Sequence, residues 1–177
     1  MVEIKNLVKK YGTKYALDDI SFTIDDGEIV GFLGPNGAGK STTMNIVTGY
    51  LASTSGTVVI DGKDVFEDPI EAKKLIGYLP EQPPLYMDMT VQEYLEFVFE
   101  LKSCTLNKKK HIDEICVITK IDSVRDRLIK NLSKGFRQRV GIAQAIMGNP
   151  KIIIFDEPTV GLDPKQIIEV RNLIRNL

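Results

Sequence analysis

Apolar and polar positions alternate over the first two dozen residues. Val2 and Ile4, then Ile20, Phe22 and Ile24, put apolar side chains on one face at a period of two, which predicts strands with one buried side. Asp25-Asp26-Gly27 reads as a turn, and the short apolar run Glu28–Leu33 predicts a further strand. From about Lys40 to Leu51 the period lengthens, with Met44, Ile46, Val47 and Leu51 on the buried side of a helix. Gly56–Ile60 and Leu75–Leu79 return to strand, the first ended by Asp61-Gly62. From Glu81 to Asn131 the character changes, because Pro83-Pro84 interrupts helix and strand alike. Thr90 and Glu93 form a capping box for a helix carrying Val91, Tyr94, Leu95, Val98 and Leu101 at helical spacing. A second helix spans about Asn107–Thr119 through Ile112, Ile115 and Cys116. Ser133 begins another, ending near Gly148-Asn149-Pro150. Lys151–Phe155 is a β-branched strand, and Pro164 opens a last helix that reaches Leu177. The pattern is that of an α/β core with a helical insertion, without internal repeats or low-complexity segments.

Composition narrows the class. The chain of 177 residues is long enough for one domain with a real core, and 43% hydrophobic with 27% charged residues is a globular balance. A formal charge of −1 offers no bulk attraction to nucleic acid or to an anionic membrane. Apolar runs such as Ile152–Phe155 are strand-sized, so none spans a bilayer. Met1–Lys5 lacks the apolar stretch of a signal peptide. Cys104 and Cys116 have no metal-type spacing and read as reduced thiols of a cytosolic protein. His111, beside Lys108-Lys109-Lys110, reads as a solvated surface residue.

Three segments carry chemistry. Gly34-Pro35-Asn36-Gly37-Ala38-Gly39-Lys40-Ser41 matches the phosphate-loop pattern in full, between a predicted strand and a predicted helix. Its glycines let successive N–H groups point inward at phosphate oxygens, and the helix beginning at Lys40 adds a partial positive charge. Lys40 reaches the terminal phosphates; Ser41 is placed to ligate Mg²⁺, with Thr42 beside it. Asp156-Glu157, at the end of the strand Lys151–Phe155, sets two carboxylates where a cation or a reaction must compensate them. Asp156 is the candidate metal group and Glu157 the candidate to polarise an attacking water. Ser133 heads a helix whose first N–H groups, at Lys134, Gly135 and Phe136, lack helical partners. That end is either a second anion site or a plain serine cap.

In this order the motifs resemble the nucleotide-binding domain of ATP-binding cassette (ABC) proteins over essentially the whole chain. Leu132-Ser133-Lys134-Gly135-Phe136-Arg137-Gln138 is similar to the family signature LSGGQ, with Lys134 replacing a glycine and Phe136 the glutamine. The resemblance implies a P-loop NTPase (RecA-like) core, an antiparallel β subdomain at the N-terminus and a helical subdomain. It divides the chain into a catalytic lobe over 1–80 and 136–177 and a helical subdomain over 81–135. It further implies that two copies sandwich two ATPs head to tail, with Ser133, Lys134, Gly135 and Phe136 of one chain facing nucleotide held by the other. Tyr11 resembles the aromatic residue that stacks on adenine; a strand-end tyrosine is the other reading. The Q-loop glutamine position falls by strand register on Glu81, a metal-ligand position, with Gln82 as the alternative one residue on. Gly161-Leu162-Asp163 resembles the D-loop, and Asp163 also reads as a helix cap.

The finer resemblance, through Ile76–Glu81, Pro84-Leu85-Tyr86 and Leu132–Arg139, is to ATPase subunits of bacterial ABC-2 type exporters, the drug, sodium and gliding-related group. Such a subunit hydrolyses ATP with Mg²⁺ at the inner face of the cell membrane. It docks on a separate transmembrane permease, here through Glu81–Thr90, and needs no nucleic acid. A soluble ABC ATPase acting on ribosomes or DNA is the alternative, and a plain P-loop kinase leaves residues 132–139 unexplained. The family's switch histidine has no counterpart, and its last strands are missing. The expectation is therefore a truncated piece of a longer domain that is unstable alone and hydrolyses ATP poorly. A cooperative melt with robust ATPase activity would overturn that expectation.

Overall fold

The alternation at the start of the chain folds into a hairpin. In the computed structural model, which describes residues 1–177, β1 (Val2–Tyr11) and β2 (Lys14–Ile24) pair antiparallel, with Val2 opposite Ile24 and Ile4 opposite Phe22. β3 (Ser55–Ile60) adds to the other edge of β1, and β4 (Lys63–Asp64) to β3, so the sheet order is β2-β1-β3-β4. Val2, Ile4 and Leu7 of β1, and Val58 and Ile60 of β3, turn their side chains into the interior. Helix α1 (Lys40–Val47) buries Thr43, Ile46 and Val47, and the six-residue α2 (Pro69–Lys74) buries Ala72. Together these make the first of two compact units, Met1–Ile76.

The expected strand Glu28–Leu33 is a correction. No neighbouring strand bonds to these residues, and they lie outside both sheets. Ile29 and Leu33 are 77% and 94% exposed. A strand exists only as part of a ladder, since its N–H and C=O groups need partners. An apolar run supplies propensity without supplying those partners.

The second unit, Gly77–Leu177, is mainly helical. A two-stranded sheet of β5 (Ile76–Leu79) and β6 (Ile152–Phe155) accompanies α3 (Val91–Leu101), α4 (Lys108–Thr119), α5 (Lys134–Ile146) and α6 (Pro164–Arg175). Its core gathers Leu79, Leu95, Ile112, Ile129, Val140 and Ile142, all of them fully buried or nearly so. Thr90 caps α3 in the predicted box: its hydroxyl accepts from the Glu93 N–H at 3.2 Å, and its own N–H donates to Glu93 at 2.8 Å. Leu101, read as part of the buried face, is instead 70% exposed. The next position on the stripe of Val91, Tyr94, Leu95, Val98 and Phe99 is Lys102. Its stem is buried while its ammonium donates to the Ala145 and Met147 carbonyls at 3.2 and 3.0 Å, closing the C-terminal end of α5.

His111 is a second correction. It is 5% exposed, not solvated, because the helical period puts it on one face with Ile112, Ile115, Cys116 and Thr119. Its Nε2 accepts a hydrogen bond from the Gly148 N–H at 3.0 Å, and its ring lies 6.2 Å from that of Phe99. Burial lowers its pKa below the ordinary value, opposed by the Glu114 carboxylate and assisted by the Lys102 ammonium. Protonation would also turn the acceptor into a second donor facing Gly148. Because the folded state binds this proton less readily than the unfolded chain, the contribution is complete above about pH 6.5 and falls as pH drops below it. Thermal melts from pH 7 to 5 should therefore show a shallower decline for His111→Gln, whose amide oxygen can still accept from Gly148, than for the parent. Parallel slopes would rule this out.

Candidate functional site

The phosphate loop sits in the first unit. Gly34 to Ala38 are exposed and lead into α1 through Gly39, whose φ of 90° is left-handed. A Cβ there would lie 2.6 Å from Leu17 Cδ2 and 2.7 Å from the Ala16 carbonyl oxygen, so only glycine fits. The chain has five helices of eight or more residues, and in four a side-chain oxygen caps the N-terminus: Thr90, Asn107, Ser133 and Asp163. Helix α1 has no side-chain cap. Its first N–H groups, at the positive end of the helix, are available to an anion. The Lys40 ammonium folds over the loop and donates to the carbonyls of Gly34 and Pro35 at 2.7 and 2.9 Å. Within the loop the Ala38 N–H donates to the Pro35 carbonyl at 3.2 Å, and Asn36 and Gly37 form its exposed tip. Ser41 is exposed and Thr42 half-buried, whereas the following Thr43 is turned inward, its hydroxyl donating to the Gly39 carbonyl at 3.0 Å. Tyr11 ends β1 with its ring 55% exposed and the Lys9 ammonium 5.2 Å from the ring centre.

The other candidates belong to the second unit. Asp156 follows β6 directly, half-buried, and its N–H donates to the Leu79 carbonyl at 2.9 Å. Its charge reaches Tyr78, whose pKa is raised first by burial and then by Asp156. Glu157 is exposed with φ 49°, a left-handed conformation that costs a non-glycine residue about 1–3 kcal/mol. Glu81 and Gln82 are both exposed in the bend after β5. The following segment is tied down from Leu85 to Thr90. The Ile129 and Lys130 N–H groups donate to the Met89 and Met87 carbonyls at 2.9 and 3.0 Å. The Tyr94 hydroxyl donates to the Pro84 carbonyl at 3.2 Å, and burial pushes its pKa up to about 12. Tyr86, 51% exposed, leans on the rings of Tyr94 and Phe97 at 6.1 and 5.3 Å.

Ser133 caps α5, its hydroxyl accepting from the Phe136 N–H at 3.4 Å. Ser133 and Lys134 are exposed, Gly135 is buried, and the half-buried Phe136 ring has the Arg139 guanidinium 5.8 Å from its centre. Asp163 caps α6 in a box with Gln166: its carboxylate accepts from the Gln166 N–H at 2.8 Å. Gln166 and the ion pair from Arg139 to Glu169 were not singled out in the sequence. The spacing Asp163-x-x-Gln166 is a capping-box signal that marks the first; the second joins two helices and has no local signal.

Gly39→Ala should lower the melting temperature and weaken nucleotide binding together, by about 1–3 kcal/mol of backbone strain plus the overlap. A thermal melt and a titration with fluorescent ATP measure the two; wild-type values in both would refute the geometric demand for glycine.

Comparison with known proteins identifies the family. Residues 17–160 match the family model described as ABC transporter. The lipopolysaccharide export system ATP-binding protein LptB of Haemophilus influenzae is 39% identical over 177 residues, which cover 98% of this chain and 73% of LptB. The bacitracin transport ATP-binding protein BcrA of Bacillus licheniformis is 37% identical over 100% of this chain and 57% of its own length. Among solved structures, the dimeric bacterial ABC transporter cassette MJ0796 superimposes with a TM-score of 0.86 at 32% identity, covering 100% of this chain and 82% of that one. The same cassette, in a post-hydrolysis state bound to ADP and Pi, gives 0.85. No helix of this chain is long and apolar enough to cross a membrane. With its phosphate loop, strand-end carboxylates and signature segment in the family's order, the chain belongs to the ABC transporter family, as one of its P-loop ATPase cassettes.

Proposed function

We propose that this cassette binds and hydrolyses ATP to drive export through a separate membrane permease, working at the cytoplasmic face as one half of a head-to-tail pair. The observation that carries the reading is the complete loop Gly34–Ser41 at an uncapped helix N-terminus, inside the span matched by the family. Export is favoured because LptB belongs to an export system and BcrA to bacitracin transport. The paired arrangement is supported by the dimer formed by the MJ0796 cassette.

In this reading the loop N–H groups and Lys40 bind the phosphates of ATP, and Tyr11 stacks on adenine. Lys40 must leave the Gly34 and Pro35 carbonyls to do so, exchanging two neutral acceptors for a charged one. Ser133 and Gly135, with Lys134 and Phe136 flanking them, face the γ-phosphate bound by the second cassette. Glu157, exposed after β6, accepts a proton from the attacking water. Asp163 lies at the pair interface. The oxygen donors Ser41 and Asp156 suit Mg²⁺, which takes one or two protein carboxylates and completes its shell with phosphate and water. Ser41, Asp156 and Glu81, or Gln82 in its place, would hold it, and it would neutralise charge on the phosphates. Residues 1–80 and 136–177 form the catalytic lobe and 81–135 the helical subdomain. Tyr86 and Met87, both exposed on a segment anchored by Lys130 and Tyr94, provide the docking surface for the permease.

Glu157→Gln should stall hydrolysis and trap an ATP-dependent dimer, visible by gel filtration with light scattering. Ser133→Arg in that background should abolish the dimer and leave ATP binding to the monomer intact. Equal loss of monomer binding would count against a shared site.

A further inference from the structure

The head of α5 is not free to move independently of the loop after β6. A Cβ on Gly135 would lie 2.9 Å from both Cδ and Nε2 of Gln166, so the glutamine amide rests directly on the glycine. Beside it, the Lys134 ammonium fills the space that a side chain on Gly161 would need, with Nζ 1.9 Å from that Cβ position. Further along, Arg139 pairs with Glu169. Gln166 also belongs to the α6 capping box. Its own N–H donates to Asp163 at 2.8 Å, and its side-chain oxygen accepts from the Asp163 N–H at 3.4 Å. One amide therefore closes the turn at Asp163 and backs the glycine of the signature.

The geometry points to Gln166 as a positioning residue that locks the signature glycine to the Gly161–Asp163 loop within one chain. The inference rests on the shared-site reading above. A phosphate that pulls on Ser133 and Gly135 is then felt at Asp163, and a shift of Asp163 moves the Gly135 backbone. The neutrality of the amide matters. A carboxylate at position 166 would serve the capping box as well as glutamine does, and it is favoured in the first turn of α6. The same carboxylate would set a negative charge against Gly135, opposing the positive end of α5 where a phosphate is to be received.

Gln166→Glu therefore separates capping from positioning. In the full chain carrying Glu157→Gln, ATP is titrated while dimer is followed by light scattering; melting temperature and monomer affinity for ATP are measured alongside. Gln166→Glu is expected to lower neither the melting temperature nor the monomer affinity and to raise the ATP needed for half-maximal dimerisation about tenfold. A second comparison uses the steric contact. Gly135→Ala should impair dimerisation by displacing the Gln166 amide, and adding Gln166→Ala should recover part of the loss because the overlap is gone. Unchanged dimerisation in Gln166→Glu, or a double variant no better than Gly135→Ala alone, overturns the inference. Absence of any ATP-dependent dimer in the Glu157→Gln parent overturns the shared-site reading and this inference with it.

Discussion

The first N–H groups of an α-helix have no carbonyl to bond, and the way this chain satisfies them organises everything else. Four helices close their N-termini with a side-chain oxygen from Thr90, Asn107, Ser133 or Asp163. Helix α1 does not, because the residue at its head is a glycine with a left-handed backbone and no side chain to offer. In the proposed function the phosphates of ATP complete that helix. A serine at position 39 would cap it from within, but Leu17 and the Ala16 carbonyl leave no room for a Cβ. The same constraint bears on the two capped ends to which the proposed function gives a role. Ser133 and Asp163 are short, exposed caps that satisfy their helices without covering them.

Around these ends the second unit distributes rigidity unevenly. Lys102 closes the far end of α5, His111 accepts from the backbone just beyond it, and the core packs tightly between. The segment from Leu85 to Thr90 is pinned through Met87, Met89 and Tyr94, yet still presents Tyr86 and Met87 outward. Such a surface is held still by its backbone while its apolar side chains stay available, which is what a docking surface requires. Glu157 shows the complementary case, a strained left-handed residue kept exposed at the end of a short strand.

Much of this was legible in the residues. The strand character of Val2–Ile4 and Ile20–Ile24, the capping box at Thr90, the start of α5 at Ser133 and of α6 at Pro164 all carry local signals, although β2 begins earlier, at Lys14. The phosphate loop is a contiguous motif, so its chemistry could be read without a fold. Other features misled. Lys108-Lys109-Lys110 made His111 look solvated, although the helical period turns it inward. Leu101 lies one residue short of the stripe that Lys102 continues. Helix α2 and strand β4 are too short to show a period in the sequence.

The sequence by itself determined the elements whose signals lie within one turn of chain: caps, turns, the glycine-rich loop and the amphipathic faces of α3 and α6. It also ordered the motifs and so specified the family. Tertiary structure alone decided three things. Glu28–Leu33 is not a strand, because a ladder needs a neighbour and no residue encodes one locally. Gly39 must be glycine because of Leu17 and the Ala16 carbonyl, and Gly135 lies against the Gln166 amide, all residues distant along the chain. Arg139 meets Glu169 for the same reason: packing brings together what spacing does not. Local hydrogen bonding is written in sequence at short range, whereas steric demand and strand pairing arise only when distant segments meet.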